Sequence, residues 1–198
     1  MGRSTRSQAQ ENRARIVDAA AGLFRRHGVD AVSIADVMTA AGMTQGGFYK
    51  HFPSKEALAA EACATAFARS VEAWKEQARQ SADGGQAALR DLLAYYFSEK
   101  PPERTCPMVA LARDAAAEGP DQPLHLAYGD GTRRLFEAFA AVAGEGRKAP
   151  QRRAQIMTLF AAMVGANLLA RAVGDEPWIR EMKTVLLDAV VPAVAQRR

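Results

Sequence analysis

Apolar positions recur along this chain with the spacing of helices. From about Glu11 to Arg26, Ile16, Ala20, Leu23 and Phe24 fall on one face of a 3.6-residue period. His27-Gly28 ends that helix, because glycine accepts the left-handed backbone that a helix C-terminus favours. Ser33-Ile34-Ala35-Asp36 reads as a capping arrangement: the hydroxyl accepts from an orphan amide, and the carboxylate complements the positive helix end. The short helix it opens turns Ile34, Val37, Met38 and Ala41 inward and stops at Gly42. A second short helix is expected from about Thr44 to His51, where Phe52-Pro53 breaks it. Ser54 then caps a long helix from Lys55 to about Gln80.

Beyond Ser81-Ala82-Asp83-Gly84-Gly85, helices are expected over about 86–99, 107–118, 122–143, 150–173 and 176–196. Pro101-Pro102, Gly119-Pro120, Gly144-Glu145-Gly146 and Glu176-Pro177 punctuate them. Gly129 and Gly131 weaken the middle of 122–143 by ~1 kcal/mol each relative to alanine. Val, Ile and Thr never alternate over a strand-length run, and alanine is abundant. The expected fold class is therefore all-α.

At 48% hydrophobic and 24% charged residues the composition excludes a disordered chain. No uncharged apolar run approaches about 18 residues, so no membrane span is expected. Met1-Gly2-Arg3-Ser4-Thr5-Arg6 leads into polar Gln8-Ala9-Gln10-Glu11, unlike a signal peptide, and a cytoplasmic location follows as the expectation. Cys63 and Cys106 lack metal-ligand spacing, and neither a metal nor a cofactor is expected.

Charge is unevenly placed. Residues 1–55 hold eight Lys/Arg against four acids, and the whole chain holds 26 against 22. All the excess positive charge thus lies in the first quarter, as for a polyanion-binding head on a neutral body, although a solvated basic tail would look alike. Within that quarter, two short helices joined through Gly42-Met43-Thr44 are a helix-turn-helix by spacing. Met43 and Phe48 can pack inward. Gln45, near the start of the second helix, can reach a base edge in the major groove, since a carboxamide pairs bidentately with adenine. Thr44, Tyr49, Lys50, His51 and Lys55 can supply hydrogen bonds or charge to phosphates. Tyr49 and His51 equally suit half-buried packing. A lysine at a helix start is disfavoured by the macrodipole unless an anion joins it.

Gly42-Met-Thr-Gln-Gly-Gly-Phe-Tyr-Lys-His-Phe-Pro-Ser-Lys55, with Ile34-Ala35 upstream and Leu58 downstream, resembles the TetR/AcrR signature over about residues 11–60. The resemblance implies about nine helices: an N-terminal three-helix DNA-binding domain, 1–55, and a helical ligand-binding and dimerisation domain, 56–198. It implies a homodimeric repressor that holds double-stranded, pseudo-palindromic operator DNA until a small-molecule inducer enters the C-terminal domain. By position, Ser33 opens the first helix of the motif and Thr44 the recognition helix. Gln45 and Lys50 then look base-proximal, while Tyr49, His51 and Lys55 look like phosphate contacts. Gly46-Gly47 departs from the family pattern by offering no side chains at two outward positions.

In the C-terminal part, Cys63, Phe67, Val71, Trp74 and Ala78 share one face of the long helix. They make either plain core or, with Phe67 and Trp74 joined by Phe97, Met108, Leu111, Phe136 and Phe139, a ligand cavity. Ile156, Phe160, Met163 and Val164, followed by Trp178, Met182, Val185 and Leu186 in the last helix, offer more apolar surface than one core-facing stripe needs. They are the expected dimer interface, unless both helices only close the monomer core. Cys106, just before Pro107 at a helix start, is either a small packing residue or a reactive thiol that triggers release on modification. No paired carboxylates, metal cluster or phosphate-binding glycine loop is visible, so an enzyme is not expected.

Overall fold

A computed structural model of the chain describes residues 2–81, 85–144 and 150–189. Among these, all regular structure is helical: α1 Gly2–His27, α2 Ile34–Ala40, α3 Lys55–Gln80, α4 Gly85–Phe97, α5 Pro107–Ala110, α6 Ala112–Ala117, α7 Pro123–Val142, α8 Pro150–Val173 and α9 Pro177–Asp188. Two 3-10 turns, Gln45–Lys50 and Pro102–Arg104, complete the set.

The chain folds as two compact units, and neither is a single run of sequence. The first takes Met1–Ser70 and Lys100–Thr132, the second Val71–Glu99 and Arg133–Arg198. In the first unit α1 packs against α2, against α5 and against the Pro102–Arg104 turn. Its core collects Ile16, Ala20 and Phe24 from α1, Val37 and Met38 from α2, then Phe48, Phe52 and Leu58, all buried. Phe67 meets Tyr128 edge-on at 5.5 Å, and the Tyr128 hydroxyl donates to the Met108 carbonyl at 2.7 Å. In the second unit α9 packs against α4 and α8. Trp74, Leu92, Leu93, Leu135, Phe139 and Ile179 are buried there.

Several elements differ from the periodicity for identifiable reasons. Helix α1 starts at Gly2, well ahead of its first apolar residue, because exposed pairs such as Ser7–Glu11 and Gln8–Asn12 carry its opening turns. The span 107–118 breaks at Leu111, whose backbone (φ −108°, ψ 4°) leaves the helical region. The expectation for 122–143 holds through both glycines. Gly131 is there because a Cβ would sit 2.3 Å from Cγ of Phe67, so only a glycine lets these segments meet. Expectations at Ala82–Gly84, at Glu145–Gly146 and for 190–196 lie outside the described residues.

By length and composition alone Gln151–Val173 could cross a bilayer, with a mean hydropathy of 1.7. The criterion of an unbroken uncharged run passes over it.

Candidate nucleic-acid interface

The helix-turn-helix is assembled from short-range hydrogen bonds. Ser33 Oγ accepts from the Asp36 N–H at 3.1 Å, and the Asp36 carboxylate accepts from the Ser33 N–H at 2.8 Å. Both halves of the expected capping box are thus present. The Ser33 hydroxyl also donates to Asp36 Oδ2 at 2.6 Å, so it already serves the cap. These bonds, chiefly from the Ser33 side chain and then its backbone, hold the Asp36 carboxyl below its ordinary 3.8. Gly42 takes a φ of +72°, and the Met43 N–H reaches back to the Met38 carbonyl at 2.8 Å to close the turn.

Where an α-helix was expected over Thr44–His51, the chain forms the 3-10 turn Gln45–Lys50. Its bonds span three residues, from Gly47 N–H to Thr44 C=O at 3.1 Å and from His51 N–H to Phe48 C=O at 2.8 Å. Two adjacent glycines and Pro53 make so short a segment a poor α-helix. What holds it is Phe48, fully buried and stacked on Phe52 with centroids 5.8 Å apart. Arg13 of α1 covers the Phe52 ring at 4.4 Å and pairs with Glu61.

Around this anchor the polar residues face outward. Thr44 starts the turn with extended backbone, and its hydroxyl makes no cap bond. Gln45 and Lys50 are exposed, and Tyr49 is 71% exposed with its ring set edge-on to Phe48 at 5.2 Å. His51 and Lys55 are half-buried. A Cβ on Gly46 would meet nothing within 4 Å, and one on Gly47 only the flexible Met38 Cε at 3.6 Å. Ser54 Oγ accepts from the Ala57 N–H at 3.2 Å, as expected of a cap for α3. Ser33, Thr44, Gln45, Gly46, Gly47, Tyr49, Lys50, His51 and Lys55 are therefore carried on one short stretch of the first unit.

The expected ligand residues fall into two groups. Phe67, Met108 and Leu111 are buried in the first unit. Trp74, Phe97, Phe136 and Phe139 belong to the second. There Trp74 contacts Tyr96 at 5.8 Å and Phe139 at 6.4 Å, while Phe136 packs on Phe160 at 5.4 Å.

The residues expected at a dimer interface differ in exposure within the single chain. Ile156 (4% exposed) and Met163 (fully buried) face their own chain, and Phe160 is half-buried against Phe136 and Phe139. The exposed apolar side chains of these helices include Met157, Leu168 and Val173 of α8 and the expected Trp178 and Val185 of α9, all near half exposed. Val164, Met182 and Leu186 are partly covered.

Cys106 is half-exposed and precedes α5, as the sequence places it. Burial pushes the Cys63 thiol up to about 12. Periodicity passed over Arg25, a residue only 9% exposed whose guanidinium donates through Nε to the Ala21 carbonyl at 2.8 Å. Its position four residues after buried Ala21 was the available signal. Among the described residues no three His, Cys, Asp or Glu side chains are grouped to hold a metal.

Residues 16–62 match the model of bacterial regulatory proteins, tetR family. The chain is similar to the HTH-type transcriptional regulator AcrR of Shigella flexneri, 43% identical over 31% of this chain and 28% of AcrR. It is equally similar to the HTH-type transcriptional regulator TtgR of Pseudomonas putida, 43% identical over 29% of this chain and 28% of TtgR. The matched part thus spans well under a third of these relatives. Over nearly its whole length the fold is that of a TetR-family regulator from Agrobacterium tumefaciens, with TM-score 0.76, 22% identity and coverage of 91% and 98%. The same holds for reduced Escherichia coli NemR, with TM-score 0.72, 21% identity and coverage of 89% and 95%.

Proposed function

We propose that this chain, whose residues 16–62 match the model of the tetR family of bacterial regulatory proteins, is a homodimeric repressor of that family, released from operator DNA by a small molecule. The observation that carries this reading is the outward set Gln45, Tyr49 and Lys50, held on a turn whose Phe48 is fully buried. A buried anchor beneath polar groups fixes where those groups point, which base-edge recognition requires. Gln45 and Lys50 read bases, and Thr44, Tyr49, His51 and Lys55 hold phosphates. Gly46 and Gly47 let the backbone approach closely.

Residues 1–55 read DNA, and 56–198 take up the inducer and pair the subunits. The pairing face is the apolar surface of α8 and α9, where Leu168 is 52% and Val185 59% exposed. A two-fold axis through that face sets the two reading heads roughly 34–36 Å apart, one helical repeat of DNA. The apolarity that lets Gln151–Val173 pass as a span belongs to this pairing, and the protein works in the cytoplasm. An inducer that prefers a different head spacing draws the population away from DNA.

Gel-shift titration against DNA flanking its own gene tests the proposal. Tyr49→Ala should weaken binding to all sequences alike. Gln45→Ala should change preference among operator variants by ~1–3 kcal/mol at one base pair. Unaltered preference in Gln45→Ala would overturn the assignment of base readout.

One observation supports a second trigger. Cys106 is half-exposed at the start of α5, directly after Thr105, whose carbonyl receives the Arg25 guanidinium at 3.4 Å. A thiolate there lies within reach of cationic side chains. If this thiol is the sensor, Cys106→Ser keeps DNA binding and loses release by electrophiles. Equal release from both proteins returns the trigger to the aromatic groups.

A further inference from the structure

Arg25 is a buried charge that meets carbonyls and no carboxylate. The residue is only 9% exposed, and its guanidinium donates to Ala21 at 2.8 Å through Nε and to Thr105 at 3.4 Å through Nη1. Glu103, which lies nearby, pairs with Arg26. Among the described residues no carboxylate pairs with Arg25. Arg69 and Arg104 add like charge around it. A buried cation so placed is costly unless an anion meets it.

Cys106 offers one. It directly follows Thr105, whose carbonyl receives Nη1, and it is half-exposed and in no disulfide. Burial pulls the Arg25 guanidinium below its ordinary value, Arg69 adds to the pull, and the Cys106 sulfur opposes both. Lys100, lowered by burial, is likewise supported by Cys106. The Tyr128 hydroxyl, raised first by burial, is raised again by Cys106. Groups from α1, from the segment after α4 and from α7 thus all sense that sulfur as negative charge, and all belong to the first unit. Cys63 of α3 is the contrast within the same unit: burial alone pushes its thiol up to about 12.

We propose that Arg25 holds Cys106 as a thiolate and so makes it the nucleophile for small α,β-unsaturated carbonyl compounds. This inference rests on the thiol-trigger reading above and supplies its positioning residue and its class of ligand. The sulfur attacks the β-carbon and one S–C bond forms. The π pair moves to the carbonyl oxygen as an enolate, which takes a proton from water, and no oxidant is consumed. The cations that favour the thiolate also favour the enolate, which suits the site to this class.

The test labels the full chain with N-ethylmaleimide across a pH series and identifies the labelled cysteine by peptide mass. Cys106 labelling should have its midpoint about one unit below the ordinary thiol value of about 8.5, and Cys63 should stay unlabelled. Arg25→Gln keeps a donor for the carbonyls and removes the charge. Its midpoint should return to the ordinary value. Its labelling rate at neutral pH should fall roughly threefold, because the scarcer thiolate is partly offset by its greater nucleophilicity. Arg25→Lys should keep the lowered midpoint. Arg104→Gln, which removes an exposed cation two residues from the thiol, should move it by less than half as much. A wild-type midpoint at or above the ordinary value overturns the proposal, as does an unmoved midpoint in Arg25→Gln or an equal shift in Arg104→Gln. A variant that unfolds shows itself by labelling at Cys63, and the wild-type midpoint with Arg104→Gln then decides. Labelling as proposed without release of DNA overturns the trigger reading and leaves the activated thiol standing.

Discussion

The backbone N–H of Val29 donates to the Asp114 carboxylate at 3.0 Å, tying the turn between α1 and α2 to α6. Two neighbouring contacts reinforce the tie: Arg26 pairs with Glu103 at 2.6 Å, and Arg25 reaches the Thr105 carbonyl. The turn also contains Gly28, at φ +84°, whose added Cβ would crowd Asp114 Oδ1 at 3.4 Å. The helix-turn-helix is thus braced by residues far away in sequence. Asp114→Ala should lower the stability of the folded chain by about 1–2 kcal/mol, the range for removing a charge-assisted bond at a partly buried site. Asp114→Asn keeps an acceptor and should lose less than half of that. Urea midpoints for the two variants check the ordering.

The glycines of α7 make opposite predictions from identical chemistry. Gly131→Ala drives a methyl group into Phe67 and should cost about 1–3 kcal/mol. Gly129 is exposed with nothing within 4 Å of its added Cβ, so Gly129→Ala should raise stability by up to ~1 kcal/mol through helix propensity alone. Thermal melts should move in opposite directions. If both variants melted lower, the close approach of Phe67 would not be what distinguishes the two sites.

Asp36 has a folded-state carboxyl depressed below 3.8, chiefly by the Ser33 side-chain bond and next by the Ser33 backbone bond. A depressed carboxyl stabilises the fold above the unfolded value and loses that contribution as pH falls through the folded value. The capping box of α2 should therefore hold at neutral pH and fail only below 3.8. An NMR titration should place the Asp36 midpoint under 3.8, and Ser33→Ala should move it back up. A midpoint unmoved by Ser33→Ala would remove the hydroxyl as the cause.

Charge on α8 should have two distinct outcomes little more than one turn apart. Leu168→Glu, at a position 52% exposed in the single chain, should leave the fold intact and abolish the proposed dimer, since two like charges would meet across its axis. Val185→Glu on α9, 59% exposed, should behave likewise. Met163→Glu places the charge in a fully buried site and should unfold the chain, at a cost of several kcal/mol. Sedimentation separates the cases: a folded monomer for the first two, aggregate or unfolded chain for the third. A folded, dimeric Leu168→Glu would move the interface elsewhere.

Helices were legible wherever an apolar stripe persisted, and α3 matches its expected span of Lys55 to Gln80. The capping box was legible because all its chemistry lies within four residues. The 3-10 form of Gln45–Lys50 was not, because tertiary anchoring by Phe48 decides it, and periodicity cannot distinguish 3.0 from 3.6 residues per turn over six residues. That Ile156 and Met163 of α8 are buried in their own chain was not legible for a related reason. An alanine-rich helix has apolar residues on both faces, so spacing alone does not say which face its own chain covers. The bracing of Val29 by Asp114 joins positions 85 apart, beyond the reach of any local pattern.

Gly46 leaves a blank in the proposed reading surface. Its φ is not in the left-handed region and an added Cβ would meet nothing within 4 Å, so the backbone there accepts a residue other than glycine. One substitution at that codon would add a group beside Gln45 without touching the Phe48 anchor or the α2 cap. On the proposed DNA reading, the lineage carrying this turn can therefore try new operators one mutation at a time, at little risk to folding. What the turn reads and what keeps it folded are inherited as separate traits.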